Sequence, residues 1–269
     1  MTGFSAEWLT LREPHDLRAR NSTVIEAVAT FLELCSSVQI VDLACGTGST
    51  LRALNPFLPM RQNWKLVDND LSLLARATAS PRDNNATLSA VPLDLNRDLE
   101  AMLDGVVDLV ATSALLDLVS ETWLDRLVVE MVTRAIPLYA ALSYDGRIAL
   151  TPHDPLDVAI IAAVNAHQRT DKGFGPALGP AAAALAIARF EALGYSVVRG
   201  TSDWVIGPDA PAMQSELLAG WANAAREVDA LPRAEISAWL RRRRDLVAAG
   251  RSVLRVGHAD FFATPSATR

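Results

Sequence analysis

Covalent and metal staples are nearly absent from this chain. Two cysteines stand in 269 residues, Cys35 and Cys45, so neither a disulfide framework nor a cysteine metal cluster is expected, and no metal site is assigned. Long apolar runs are missing too. No segment reaches the roughly 18 apolar residues of a membrane span, and the opening MTGFSAEWLTLREPHDLRARN has no apolar core flanked by basic residues. A reducing, cytoplasmic setting is expected. Positive charge is not in excess either: 25 basic against 31 acidic side chains give a net charge of -6, which argues against non-specific polyanion binding without excluding a local basic site. Neither an internal repeat nor a zinc knuckle is present, and no aromatic-rich single-strand platform is found.

What is present is apolar material in quantity. Half of the residues are hydrophobic, enough for one large core or a core plus a modest lid. Residues 23–34 carry apolar side chains at helical spacing (Val24, Ala27, Val28, Phe31, Leu32), and 38–43 reads as a short buried strand. Strand-like segments follow at 64–67, 87–93, 106–112 and 147–150, with helix-like stretches between most of them. This alternation predicts βαβ units and an α/β fold, a doubly wound, mostly parallel sheet with helices on both faces. Residues 181–193 read as a further helix. GYSVVRGTSDWVIG reads as a strand or bent strand with which GHADFFATP, near the end, can pair. Two segments exceed a plain alternation and are read as additions to a single domain over 1–269: a cap within 152–180 and a helical insertion over 208–250.

The stretch VQIVDLACGTGSTL places Gly46 and Gly48 one residue apart between a strand and a helix. Glycine accepts positive φ and leaves room for close approach; a tight turn with no ligand fits those two residues equally well. A phosphate loop would need lysine then serine or threonine after its last glycine, whereas Ser49-Thr50-Leu51 follows Gly48. A dinucleotide site wants glycine or alanine three residues on, where Leu51 stands.

VDLACGTG resembles the first motif of the class I S-adenosylmethionine-dependent methyltransferases, an acidic residue, then a small residue, then G-x-G. WKLVDND resembles that family's second strand with its terminal acid, VPLDLN its third strand and loop aspartate, and VDLVATSALLDLVS its fourth-strand motif. Four motifs stand in family order over residues 38–120. With the helix before and the strand after, the resemblance reaches about residue 150. Ala44 departs mildly from the glycine frequent at its position. The resemblance implies a seven-stranded Rossmann-like methyltransferase fold with helical additions, S-adenosylmethionine as cofactor, and a set of roles. Backbone from Ala44 through Cys45 and Gly46 to Gly48 would approach the amino acid part of the cofactor, with Asp42 ordering the loop or a water on the methionine amine. Asp68 would accept from both ribose hydroxyls, and Asp94 from the adenine amine, with Asn69 and Leu95 flanking the ring. Ser113, Ala114 and Leu115 would line the path to the acceptor. Asp68 and Asp94 equally suit helix caps.

In such a sheet ligands sit beyond the carboxyl ends of the strands. With 147–150 taken as the fifth strand, this places Asp117, His153 and Asp154 on the working side, with Asp117 and His153 as candidates for handling an acceptor proton. His167 and Lys172, in the cap, are further acceptor-side candidates, and DKGFGPALGP suggests a hinge. The run WLRRRRDL spreads its arginines around a helix, with Ile236, Trp239, Leu240 and Leu246 as the apolar face; a solvated flank is favoured over a nucleic-acid stripe. The reading is methyl transfer to a small-molecule acceptor at oxygen or nitrogen. An RNA or protein methyltransferase and a non-catalytic cofactor-binding regulator stand as alternatives.

Overall fold

A computed structural model describes residues 4–79 and 85–266. Two helices open the chain, α1 (Ala6–Ala19) and α2 (Ser22–Leu32). Each starts where a side-chain oxygen accepts a free backbone N–H: Ser5 from Trp8, and Asn21 from Val24. The alternating portion follows as β1 (Ser37–Leu43), α3 (Ser49–Leu54), β2 (Arg61–Asp68), α4 (Leu71–Ala79), β3 (Ala86–Pro92), α5 (Leu95–Met102), β4 (Leu109–Ser113), α6 (Glu121–Thr133) and β5 (Leu138–Thr151). Then come α7 (Asp157–His167), α8 (Ala182–Ala192), β6 (Tyr195–Thr201), β7 (Trp204–Ile206), α9 (Pro211–Glu227), α10 (Arg233–Ala248) and β8 (Val253–Pro265).

Seven strands lie in the order β3-β2-β1-β4-β5-β8-β6, and short β7 adds an eighth by pairing with β8. The first five are parallel, and β8 runs antiparallel to β5, β6 and β7. Chain order reverses between β1 and β4, so the crevice at their carboxyl ends is the switch point. Helices α2, α3 and α4 cover one face around Trp64 and Tyr139, and α5, α6 and α8 cover the other around Trp123 and Phe190. Their buried strands carry the near-continuous apolar runs that two-sided coverage requires.

The fifth strand differs from its expected span of 147–150. Residues 138–141 supply the parallel pairing with β4, and 148–151 form an arm with β8 beyond it. Between them the register slips twice and Leu142 turns left-handed at φ 53°. A bulged strand runs through Asp145-Gly146 and joins the two portions. The working edge of β5 therefore lies at Ser143 and Tyr144, several residues before His153.

The arm carries a third apolar cluster, built from α7, α9 and α10 around Trp204, Trp221 and Trp239, with Trp8 and Leu11 of α1 against it. The arginine run departs from a wholly solvated flank. Arg243 is fully buried and ion-paired to Asp157, to which the Trp239 indole also donates at 2.8 Å. Arg242 donates to both oxygens of Asp154, at 2.6 and 2.9 Å. These pairs clamp α10 to the segment leaving β5. Truncating one partner of a buried pair strands the other, so Asp157→Ala is expected to cost about 3–5 kcal/mol, read as a lowered urea midpoint; a loss below about 1 kcal/mol, the scale of a surface pair, would contradict the clamp.

Candidate functional site

Beyond β1 the chain turns sharply, with left-handed φ at Ala44 (53°), Gly46 (54°) and Gly48 (86°). A Cβ on Gly48 would stand 3.3 Å from both the Ala77 methyl and an Arg52 nitrogen, and one on Gly46 3.3 Å from Leu9 of α1. Both glycines thus stand against neighbouring side chains, and α1 is also tied to the loop by the Glu13–Arg52 ion pair and the bond from Arg52 to the Thr47 carbonyl. Asp68, at the end of β2, accepts the Gly46 N–H at 2.9 Å on one oxygen and the Asp70 N–H at 3.0 Å on the other. A carboxylate offers about four lone-pair sites, so each oxygen of this half-buried group retains capacity for another donor. The Cys45 thiol is pushed up by burial and by the charges of Asp42 and Asp68, which keeps it protonated.

The switch point holds two buried groups of opposite charge. Asp42 stands in one row with Ala111 and Tyr139 across β1, β4 and β5. It is fully buried; the Thr50 hydroxyl is close by, but neither carboxylate oxygen makes a hydrogen bond of normal geometry among the described residues. Burial pushes its carboxyl up to about 7, against the pull of the Arg20 charge and the Thr50 hydroxyl. Arg20, at the end of α1, is buried beside it. Its guanidinium donates to the Tyr139 hydroxyl and to Ser113 Oγ, both at 3.2 Å, while Nε has no partner. Sequence reasoning missed Arg20; its single sequence cue is a charge directly ahead of the Asn21 cap.

A second polar group lies on the β4–β5 side. Asp117, in the helical turn Leu116–Leu118, is buried with Oδ1 unpartnered, and desolvation raises it to about 6 against the Arg12 charge. Tyr144 stands opposite His258 of β8, their ring centroids 6.2 Å apart, and the Trp204 ring lies 4.7 Å from His258. Arg12 sits 5.0 Å over the Trp204 ring and is held by Asp16, to which the Trp204 indole donates at 3.0 Å. His258 is driven down to about 3 by burial first and Arg12 second, so its imidazole is neutral, and its Nδ1 has no partner. Sequence reasoning did not single out Arg12, Tyr144 or His258; Tyr144 lies at an edge of β5 that falls earlier in the chain than expected.

The remaining sequence candidates are dispersed. Asn69 is exposed beyond β2, Asp94 caps α5 by accepting the Asn96 N–H at 2.9 Å, and Leu95 is buried beneath it. Ser113, left-handed Ala114 (φ 52°) and buried Leu115 follow β4 to Asp117. His153 is largely exposed, 3.4 Å from the Asp157 carboxylate. Asp154 is committed to Arg242, which holds its carboxyl below the usual range. His167 and Lys172 hydrogen-bond each other at the α7–α9 surface. The glycine-rich segment after α7 lies against α5 and α6: Gly173 accepts from Asn96 at 3.2 Å, the Phe174 ring lies 5.5 Å from Trp123, and Leu178 donates to Val119 at 2.8 Å.

No protein-family model and no curated protein sequence matches the chain. Among solved structures, a cyclopropane-fatty-acyl-phospholipid synthase-like protein from Lactobacillus casei aligns over 97% of this chain and 94% of its own at 14% identity and a TM-score of 0.52. A SAM-dependent methyltransferase from Geobacter sulfurreducens in complex with S-adenosyl-L-homocysteine covers 97% and 98% at 15% identity and a TM-score of 0.45. The cyclopropane synthase MmaA2 from Mycobacterium tuberculosis covers 97% and 94% at 12% and 0.47. The chain has a doubly wound, Rossmann-like α/β fold.

Both raised carboxyls make stability fall with pH. Below about pH 4 the folded and unfolded states are each protonated at these positions. Between about pH 4 and 7 the unfolded chain ionises first, so the native state loses ground; each tenfold difference in proton affinity between the two states is worth about 1.4 kcal/mol. Asp42→Asn is expected to flatten part of this decline in urea unfolding followed across that window, leaving the share due to Asp117. An unchanged slope would remove Asp42 as its source.

Proposed function

We propose that the protein transfers a methyl group from S-adenosylmethionine to a small-molecule acceptor at oxygen or nitrogen. The observation that carries this reading is the placing of Asp42 near Arg20 at the switch point, a buried carboxyl with both oxygens unpartnered and a buried guanidinium with its Nε unpartnered. An amino acid zwitterion brings the complementary ammonium and carboxylate, and supplies the hydrogen bonds that buried charges require.

The surrounding residues fit the same cofactor. Asp42 would accept from the amine, directly or through water, and Arg20 would donate to the carboxylate. The backbone of Ala44 to Gly48 would pass close to this part, where left-handed φ and tight contacts disfavour side chains at Gly46 and Gly48. The free lone pairs of Asp68 would meet two ribose hydroxyls, with Asp94, Asn69 and Leu95 on the adenine side. Once bound, the cofactor supplies a methyl group already activated by a positively charged sulfur. The protein's own task is then alignment and exclusion of water. Ser113, Ala114 and Leu115 would border the path to the acceptor. Asp117, raised toward neutrality and unpartnered at Oδ1, would hold an acceptor N–H or O–H and take its proton when one has to leave. His258, a neutral ring with Nδ1 unpartnered, would add a second anchoring point beside the Trp204 and Tyr144 rings. Burial of Arg243 and the commitment of Arg242 to Asp154 leave no continuous basic stripe on α10 for a nucleic acid.

Thermal unfolding with S-adenosylhomocysteine and with NADP tests the cofactor, because Asp68 would repel a 2′-phosphate. The first is expected to raise the melting temperature and the second to leave it unchanged, and Gly48→Val is expected to abolish the rise. Labelled methyl groups from S-adenosylmethionine should then enter the small-molecule fraction of a cell extract. Stabilisation by NADP alone, or an undiminished response in Gly48→Val, would overturn the assignment; binding without transfer to any fraction would leave a regulator in place of an enzyme.

A further inference from the structure

The chain contains two lysines, Lys65 and Lys172, and the structure treats them differently. Lys172 Nζ lies 3.3 Å from Nδ1 of His167, the last residue of α7, and 3.0 Å from Thr170 Oγ1. On the far side of the ring, His167 Nε2 is 2.8 Å from Glu227 Oε2, at the end of α9. A carboxylate only accepts, so the imidazole donates Nε2–H to Glu227 and presents the Nδ1 lone pair to the amine. An imidazolium would instead direct a second N–H at an ammonium, which the short approach disfavours. Nucleophile, base and orienting carboxylate thus stand in a line, the arrangement that activates nucleophiles in covalent catalysis. Burial holds the Lys172 amine below its ordinary range, opposed by the Glu227 charge. Lys65 lacks these features: its Nζ donates to the Met102 carbonyl at 3.4 Å, and no base stands beside it among the described residues.

We propose that Lys172 is a site of covalent acylation by small activated acyl donors, acyl phosphates or acyl thioesters, with His167 as its base and Glu227 as the group that orients that base. The Nζ lone pair forms a bond to the acyl carbon, and the C–O bond to phosphate or the C–S bond to the thiol breaks. The proton lost from nitrogen passes to His167 and on to the leaving group, so an amide and a free phosphate or thiol result. Acylation removes the charge of Lys172 and leaves a single amide N–H where the amine stood. Lys172 is next to Gly173, whose carbonyl accepts from Asn96, so the change falls on the segment that joins α7 to the α5–α6 side of the sheet. This inference stands independently of the methyl-transfer reading.

The chain carries its own control. Folded protein treated separately with acetyl phosphate and acetyl coenzyme A, then digested and read by mass spectrometry, gives the acetylation rate at both lysines. Lys172 is expected to react roughly tenfold or more faster than Lys65 with at least one donor, a modest share of what a positioned base supplies, and the difference should vanish in urea. His167→Phe and Glu227→Gln should each slow Lys172 toward the Lys65 rate while Lys65, which also reports an intact fold, stays unchanged. Equal rates at the two lysines with both donors, or a Lys172 rate indifferent to both substitutions, would overturn the proposal.

Discussion

A carboxylate removed from water without a hydrogen-bond partner is among the costliest groups a protein can hold, and Asp42 is such a group at the centre of this sheet. It meets that cost in part by rising toward neutrality and in part through the charge of Arg20. Much of the local architecture follows from holding Arg20 there. The guanidinium must reach the end of β4 and Tyr139 of β5, which sets where α1 ends and α2 begins. The Asn21 N–H, next in the chain, is received by Asp260 of β8 at 2.9 Å, and the same carboxylate accepts from Leu142 at the bulge of β5 at 2.7 Å. The two buried acids, Asp42 and Asp260, thereby connect the amino-terminal helices to the carboxyl ends of three strands.

The bulge has a second consequence. By turning left-handed at Leu142 and continuing as an antiparallel arm, β5 carries Tyr144 to a position opposite His258 and gives β8 the length to pair with β7 as well. Ala44, Ala114 and Leu142 all adopt left-handed backbone at the carboxyl edge, after β1, after β4 and within β5. Each costs about 1–2 kcal/mol relative to ordinary helical or extended geometry. Among the described residues these three belong to five such non-glycine positions, the other two, Ala135 and Asp229, lying after α6 and α9; the three fall around the crevice that contains Asp42, Ser113 and Asp117.

The sequence made the first four strands legible because each holds a short apolar stretch followed by a polar or acidic residue, and their motifs fixed where Asp42, Asp68 and Ser113 would stand. Its blind spot began at β5. Only 147–150 of LYAALSYDGRIALT reads as a strand, since a local pattern cannot show that β8 will pair across the interruption. His153 and Asp154 were therefore drawn to an edge that lies earlier in the chain, while Tyr144 was passed over. Arg20, Arg12 and His258 were hidden for a related reason: they reach the crevice from segments remote in sequence, and a lone arginine in a helix carries no local sign of burial. The fourfold arginine run misled in the opposite sense, because neighbouring positions on one helix met quite different surroundings, with Arg243 enclosed and Arg241 exposed.

Asp42 and Arg20 are assigned as partners for the two ends of an amino acid zwitterion, and the cofactor reading depends on that assignment. Calorimetry comparing S-adenosylhomocysteine with 5′-methylthioadenosine, which keeps the adenosine and thioether but lacks the amino acid, addresses it most directly. Loss of two charge-assisted hydrogen bonds, at about 1.5–3 kcal/mol each, predicts that the truncated compound binds weaker by roughly a hundredfold or more. Equal affinity for the two would show that the buried pair does not receive the amino acid.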